Sequence, residues 1–191
     1  MRAHPTPSST PELPDAPAVS GASAPAAHPA LGAFLFDYLY DQGARHVFGI
    51  PGDFALPTFR WLEASKLTLL NMTHEPSVAF AADGYARVSG RLGVACVTYS
   101  VGGLNMLNGV ACAYAEKSPL LVISGGPSPK DRGRNNLLHH KVRHFDTQLN
   151  IYKEVTCAQA VLTDPETAAD EIARVVHTVL RLFTRIQSTL S

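Results

Sequence analysis

Residues 92–126, LGVACVTYSVGGLNMLNGVACAYAEKSPLLVISGG, decide the fold class. The two ends, LGVACVTYS and PLLVISGG, are short, nearly continuous apolar runs, the pattern of strands buried on both faces. Between them, LNMLNGVACAYAEKS has the length of a helix and ends in polar residues. A strand, a helix and a strand in that order form a parallel pair joined by a right-handed crossover. Working backwards, ARHVFGI and LTLLNM are two further short strands. LGAFLFDYLYDQG is a helix ended by Gly43, PGDFALPTFRWLEAS a turn leading into a helix, and EPSVAFAADGYARVSG another helix. The order β-α-β-α-β-α-β predicts an α/β fold, a doubly wound, mainly parallel sheet with helices on both faces.

Beyond this unit, PSPKDRGRNNLLHHKVRHFDTQLN is a long polar connection carrying His139, His140 and His144. Connections of this length inside a compact domain are often functional. IYKEVTCAQAVL resembles another strand followed by a short link. Asp164-Pro165-Glu166 then opens a helix whose Ile172, Val175, Val176, Val179, Leu180 and Phe183 share one apolar face, which should pack on the sheet. A doubly wound domain ending on a helix commonly returns to one more strand, and RLFTRIQSTLS is not a strand pattern.

The chain has 191 residues and a formal net charge of zero, with 46% hydrophobic and 17% charged residues, so one domain is expected and no nucleic-acid footprint is present. Residues 1–29 hold half of the 14 prolines and almost no large apolar side chains, and are expected to be a disordered extension. They lack the apolar stretch of a signal peptide and the Arg-rich character of a mitochondrial presequence. Cys96, Cys112 and Cys157 are widely spaced without a CxxC pair, and read as reduced, buried thiols of a cytoplasmic protein. No apolar run reaches membrane-spanning length, so no membrane association is expected.

Ligands of open α/β sheets bind beyond the carboxyl ends of the strands. Asp53 in GIPGDF, Glu75 before Pro76, the turn Tyr99-Ser100-Val101-Gly102-Gly103, and His139-His140 all fall there. Each has a plain alternative. Asp53 makes a good turn residue or helix cap. Glu75 falls at the cap position of its helix, where Ser, Thr, Asp or Asn would serve better, although its charge suits the helix dipole. SVGGLN fits neither GxGxxG nor GxxxxGK[ST], so its glycines serve close approach of backbone or ligand. HKVRH would set His140 and His144 on one helical face, but lacks the glutamate of HExxH and carries Lys141 and Arg143, which repel a cation; no metal ligand is assigned.

Taken together, VFGIPGDFALP, the glutamate preceding AFAADGYAR, the stretch from GVACVTYS to VISGGP, and LLHH resemble one family. It is the thiamine diphosphate-dependent 2-oxo acid decarboxylases, and the similarity is to their N-terminal pyrimidine-binding domain. The LLHH pair is typical of pyruvate, indolepyruvate and phenylpyruvate decarboxylases and is generally missing from acetolactate synthase-like carboligases. GIPGDFALP, HEP, AYAEKSP and FDTQ look most similar to the indolepyruvate/phenylpyruvate branch.

The resemblance implies a thiamine diphosphate-binding fold over residues 30–181 and a catalytic set of Glu75, Asp53, His139 and His140. Glu75 and Thr98 match cofactor-binding positions, Glu75 hydrogen-bonding the aminopyrimidine N1′ atom to activate the cofactor. Asp53, His139 and His140 match residues that assist proton transfers and place a 2-oxo acid substrate, which is converted to an aldehyde and carbon dioxide. In the family the cofactor's magnesium and diphosphate are held by a C-terminal domain bearing a GDG-to-Asn motif, and the full-length proteins are homo-oligomers, dimers or tetramers. No GDG occurs in these residues. Residues 182–191 are therefore expected to be an atypical tail after truncation or frame change, and the chain alone is expected to be inactive. The alternatives are a non-catalytic pyrimidine-domain module and a carboligase fragment.

Overall fold

Four short strands, β1 (His46–Gly49), β2 (Thr68–Asn71), β3 (Gly93–Thr98) and β4 (Leu120–Gly125), pair in parallel in the order β2-β1-β3-β4. They come from a computed structural model of the chain that describes residues 30–134 and 136–190, with side chains described as far as residue 183. The expected extension over residues 1–29 lies outside the described residues. The helices between the strands are α1 (Leu31–Asp41), α2 (Leu56–Glu63), α3 (Glu75–Ser89) and α4 (Val101–Ala115), followed after β4 by α5 (Pro129–Gly133), α6 (Thr147–Tyr152) and α7 (Pro165–Leu190). The expected α/β sheet with helices on both faces is thus present.

Strand alternation splits the core in two. Successive side chains of a strand point to opposite faces. Val94 and Cys96 of β3 join Val47, Phe36, Phe59, Leu62, Ile172 and Val176 on the face covered by α1, α2 and α7. Ala95 and Val97 join Phe48, Val78, Ala82, Met106 and Val110 on the face covered by α3 and α4. All six residues of β3 are buried. Full burial of each large apolar side chain contributes about 1.5–3 kcal/mol.

Small residues bring α3 and α4 together. A Cβ on Gly109 of α4 would lie 2.5 Å from the Cβ of Ala79 in α3, so the helices approach closer than two ordinary side chains allow. α3 ends at Gly90, whose backbone is left-handed (φ 66°), the conformation a helix C-cap needs and glycine adopts without strain. Arg87 holds the buried Asp83 through a 3.0 Å ion pair and also reaches Glu116 at the end of α4, 3.7 Å away.

Four local expectations change. Glu75 is the first residue of α3 and His74 the cap, with no side-chain capping bond; Pro76 fits the first helical turn, which begins one residue earlier than the cap reading placed it. The long connection is not structureless, since it holds α5 and α6. The stretch 151–162 is not a strand: Ile151 and Tyr152 close α6, and residues 153–163 join no ladder among the described residues. Of the cysteines only Cys96 is buried, its thiol pushed up to about 12 by burial, whereas Cys112 is half-buried and Cys157 exposed.

Helix α7 starts as expected, the Glu166 N–H donating to Asp164 Oδ1 at 3.0 Å, and it continues without a break past Arg181 to Leu190. A cavity of about 790 Å³ runs along the free edge of β4, between Leu121, Ile123, Val161, Val175 and Val179. None of Asp53, Glu75, Thr98, His139 or His140 lines it. No described helix is long and apolar enough to cross a membrane.

Two glycines test this packing. A Cβ on Gly84 of α3 meets nothing within 4 Å. Gly84→Ala should therefore raise stability by up to about 1 kcal/mol through helix propensity. Gly109→Ala should lower it by about 1–3 kcal/mol through overpacking against Ala79. Urea midpoints of the two variants check both signs.

Candidate active site

Parallel pairing places the carboxyl ends of all strands on one edge, and the turns leaving them carry Asp53, Glu75, Thr98 to Ser100 and, at a greater distance along the chain, His139 and His140. Asp53 sits in the turn between β1 and α2. It is not a helix cap, since Ala55 occupies that position without a side-chain bond. Its Oδ1 accepts from the Phe54 N–H at 2.9 Å, and its Oδ2 contacts Nε2 of His139. Nδ1 of His140 lies 4.0 Å from Asp53 Oδ1. The hydrogen bond from His139 holds the Asp53 carboxyl below the usual aspartate value, the Phe54 N–H and the charges of both histidines adding to the effect against some desolvation. The sequence-selected aspartate and histidine pair therefore form one cluster, although 86 positions separate Asp53 from His139.

Aromatic contacts fix the histidine loop. The Phe54 ring lies 4.8 Å from His139 and 4.9 Å edge-on from Tyr99, measured between centroids. The Tyr99 hydroxyl donates to the His139 carbonyl at 2.8 Å, which ties the loop to the end of β3. Burial, with the nearby Asp53 charge, pushes the Tyr99 phenol above its usual value, so it stays a donor.

Thr98, the last residue of β3, is 8% exposed, and its Oγ1 is buried with no protein partner among the described residues. Buried polar groups are rarely left so. Bare glycines flank it: a Cβ on Gly52 would come within 2.7 Å of Thr98 Cβ, and one on Gly102 within 3.0 Å of Thr98 Cγ2. The chain thus keeps an unsatisfied hydroxyl in a tight glycine-lined place beside Asp53. Glu75 stands apart from the Asp53 cluster. It is half-buried, and its Oε2 accepts from Asn105 Nδ2 of α4 at 2.7 Å.

Gln148 is a site residue that the sequence reading did not select. Its Oε1 accepts from the Ser100 N–H at 2.6 Å, and its side chain fills the space above Gly103, where a Cβ would meet it at 2.3 Å. Ser100 has a positive φ of 58°, a conformation costing about 1–3 kcal/mol, and the Gln148 bond helps to hold it. Gly103 therefore serves a side chain of the protein, and Gly102 serves Thr98. The FDTQ motif carried the signal for Gln148, and Asn105 was visible in SVGGLN, but neither spacing discloses its partner.

Residues 30–150 match the family described as thiamine pyrophosphate enzyme, N-terminal TPP binding domain. The match takes in Asp53, Glu75, Thr98 and both histidines. The chain belongs to this family. It is 54% identical over 143 residues to an indole-3-pyruvate decarboxylase of Azospirillum brasilense, covering 74% of this chain and 26% of that protein. It is 39% identical over 168 residues to pyruvate decarboxylase 1 of Zea mays, covering 86% of this chain and 27% of that protein. The chain spans about a quarter of the length of these relatives. For this thiamine pyrophosphate-binding domain, the orphaned Thr98 hydroxyl, the glycines around it and the hydrogen-bonded Glu75 carboxyl suit a flat polar heterocycle such as the aminopyrimidine half of the cofactor.

The tether on the histidine loop can be tested. Tyr99→Phe should lower stability by about 0.5–1.5 kcal/mol and speed amide hydrogen exchange across residues 137–141, with exchange in β3 little changed. Exchange read by mass spectrometry checks it.

Proposed function

We propose that the chain is the pyrimidine-binding part of a thiamine diphosphate-dependent decarboxylase acting on an aromatic 2-oxo acid, indolepyruvate or phenylpyruvate ahead of pyruvate, to release an aldehyde and carbon dioxide. The observation that carries this reading is the convergence of Asp53, His139 and His140 beside the orphaned Thr98 hydroxyl, on the strand edge where Glu75 opens α3. The similarity to an enzyme named indole-3-pyruvate decarboxylase supports the substrate class.

Thiamine diphosphate, when bound, supplies a nucleophilic carbon and an electron sink for the electrons left by departing carbon dioxide. Glu75 and Thr98 would hold its aminopyrimidine. The Glu75 carboxyl, oriented by Asn105, exchanges a proton with a ring nitrogen, which a carboxylate can do only if one of its oxygens stays available. Asn105 occupies Oε2 and leaves Oε1 for that role. Asp53 and His139 share a proton between Oδ2 and Nε2, a relay able to give or take one near the substrate carbonyl. His140 presents a buried Nδ1 with no hydrogen-bond partner among the described residues, from which it would donate to a substrate oxygen. Magnesium and the diphosphate would be met by another domain, and the complete protein would be a homo-oligomer working in the cytoplasm. No nucleic-acid partner is proposed for a chain of zero formal net charge.

The test joins residues 30–181 to the remaining domains of the Azospirillum brasilense relative and measures aldehyde release. Indolepyruvate and phenylpyruvate should turn over faster than pyruvate, and no turnover of any of the three would contradict the proposal. In the same chimera Glu75→Gln should slow exchange of the cofactor's acidic C–H proton by about 100-fold or more. Unchanged exchange would remove Glu75 from activation.

A further inference from the structure

Asp53, His139 and His140 offer one ligand atom each, and the three atoms lie within 4.8 Å of one another. Two imidazoles and a carboxylate are a common donor set for borderline divalent ions, and three protein ligands leave a coordination position open. Adjacent residues of an extended chain point to opposite sides, so two consecutive histidines do not ordinarily face one partner. Here they do, because His140 adopts a left-handed backbone (φ 66°) that turns its ring to the same side as His139, with centroids 4.7 Å apart. A non-glycine residue held in that region costs about 1–3 kcal/mol and is found preferentially at ligand clamps and active sites.

We propose that Asp53, His139 and His140 bind a divalent transition ion of the zinc class, with at least one coordination position left to water or a ligand oxygen. Tetrahedral zinc, with bonds of about 2.0–2.1 Å, sets its donor atoms roughly 3.3 Å apart. The 4.0 Å gap between Asp53 Oδ1 and His140 Nδ1 must close slightly, and the contact between Asp53 Oδ2 and His139 Nε2 must open. Both are side-chain rotations, within reach because the side chains of Asp53 and His139 are 48% and 59% exposed. Among the described residues His140 Nδ1 has no hydrogen bond to give up. The His139 carbonyl is already held by Tyr99, so the loop is ordered before any ion arrives.

Of the two cations that disfavoured a metal in the sequence, Lys141 is turned away from the cluster. Residues 139–144 form turns and bends instead of a helix, so His140 and His144 do not share a face and Asp53 takes the third place. Lys141 points back into its own loop, its Nζ bonded to the Asn136 carbonyl at 3.1 Å and lying 4.4 Å from the Phe145 ring centroid. The ion would use the lone pairs through which this cluster passes protons, so zinc occupancy and proton transfer exclude each other. On the decarboxylase reading, zinc at this cluster would block its proton transfers.

The experiment titrates the full 191-residue chain with cobalt(II) and follows its visible absorption, then displaces the cobalt with zinc. One cobalt per chain is expected, with a tetrahedral or five-coordinate spectrum. Asp53→Asn, His139→Ala and His140→Ala should each weaken binding at least about tenfold, because loss of a supporting partner alone costs 10–100-fold. His144→Ala should bind as the parent does. Circular dichroism establishes that each variant is folded. Paramagnetic broadening of the His139 and His140 ring protons in the unsubstituted chain gives a reading that needs no variant. Absence of saturable binding at millimolar cobalt, equal binding by the three cluster variants, or broadening confined to other residues would overturn the proposal. No cofactor or keto acid is present in this titration, so its failure leaves the decarboxylase reading standing, and failure of the chimera leaves the ion site standing.

Discussion

Parallel pairing of β3 with both β1 and β4 is the constraint on which the rest of the structure depends. The register sets Val94 beside Val47 and Leu121, and Cys96 beside Gly49 and Ile123. Parallel strands need crossover helices, so the chain must alternate strand and helix and must cover both faces with apolar side chains. The same pairing sends every strand's carboxyl end to one edge. Asp53 and Thr98 become neighbours there because β1 and β3 are adjacent, and Gly52 has no side chain because Thr98 occupies the space.

The histidines reach that edge by a different route. They belong to a long connection after β4, and an aromatic wall of Phe54 and Tyr99 with one hydroxyl-to-carbonyl bond positions them. Gln148 performs a similar service for Ser100, and the buried Tyr152 donates to the Gly103 carbonyl at 2.5 Å. The α6 segment thus braces the turn between β3 and α4 from outside. The polar connection supplies both histidines and part of the scaffold of this edge.

Strand and helix order was legible because buried parallel strands and amphipathic helices leave different periods in the sequence, as in GVACVT against Ile172 to Phe183. Pro165 and Gly90 marked helix ends for local backbone reasons that need no partner. Residues 151–162 misled, because apolar residues such as Val161 and Leu162 line the cavity beside β4 without forming a backbone ladder, and apolar character alone does not separate the two. Asp53, Glu75, Thr98 and the histidine pair were selected through the resemblance and their place after strands, not through any local anomaly strong enough to exclude a cap or a surface charge. Gln148 and Asn105 were passed over for a physical reason: their importance lies in single hydrogen bonds to Ser100 and Glu75, and those contacts form only when distant segments fold together. Asp83 and Arg87, inside the AADGYAR stretch that helped to reveal the family, bind each other, and Arg87 also reaches Glu116, which gives that part of the motif a packing role.

On the proposed reading, binding of an aminopyrimidine by Thr98 and Glu75 links this fold to thiamine chemistry. Amide NMR of the chain titrated with the isolated aminopyrimidine fragment of thiamine measures it without any other domain. The fragment should shift resonances at the start of α3, at Thr98 and at Gly102, saturating at a single site. Saturable shifts confined to the cavity beside β4, or no shifts at all, would contradict the assignment of Glu75 and Thr98 to the cofactor.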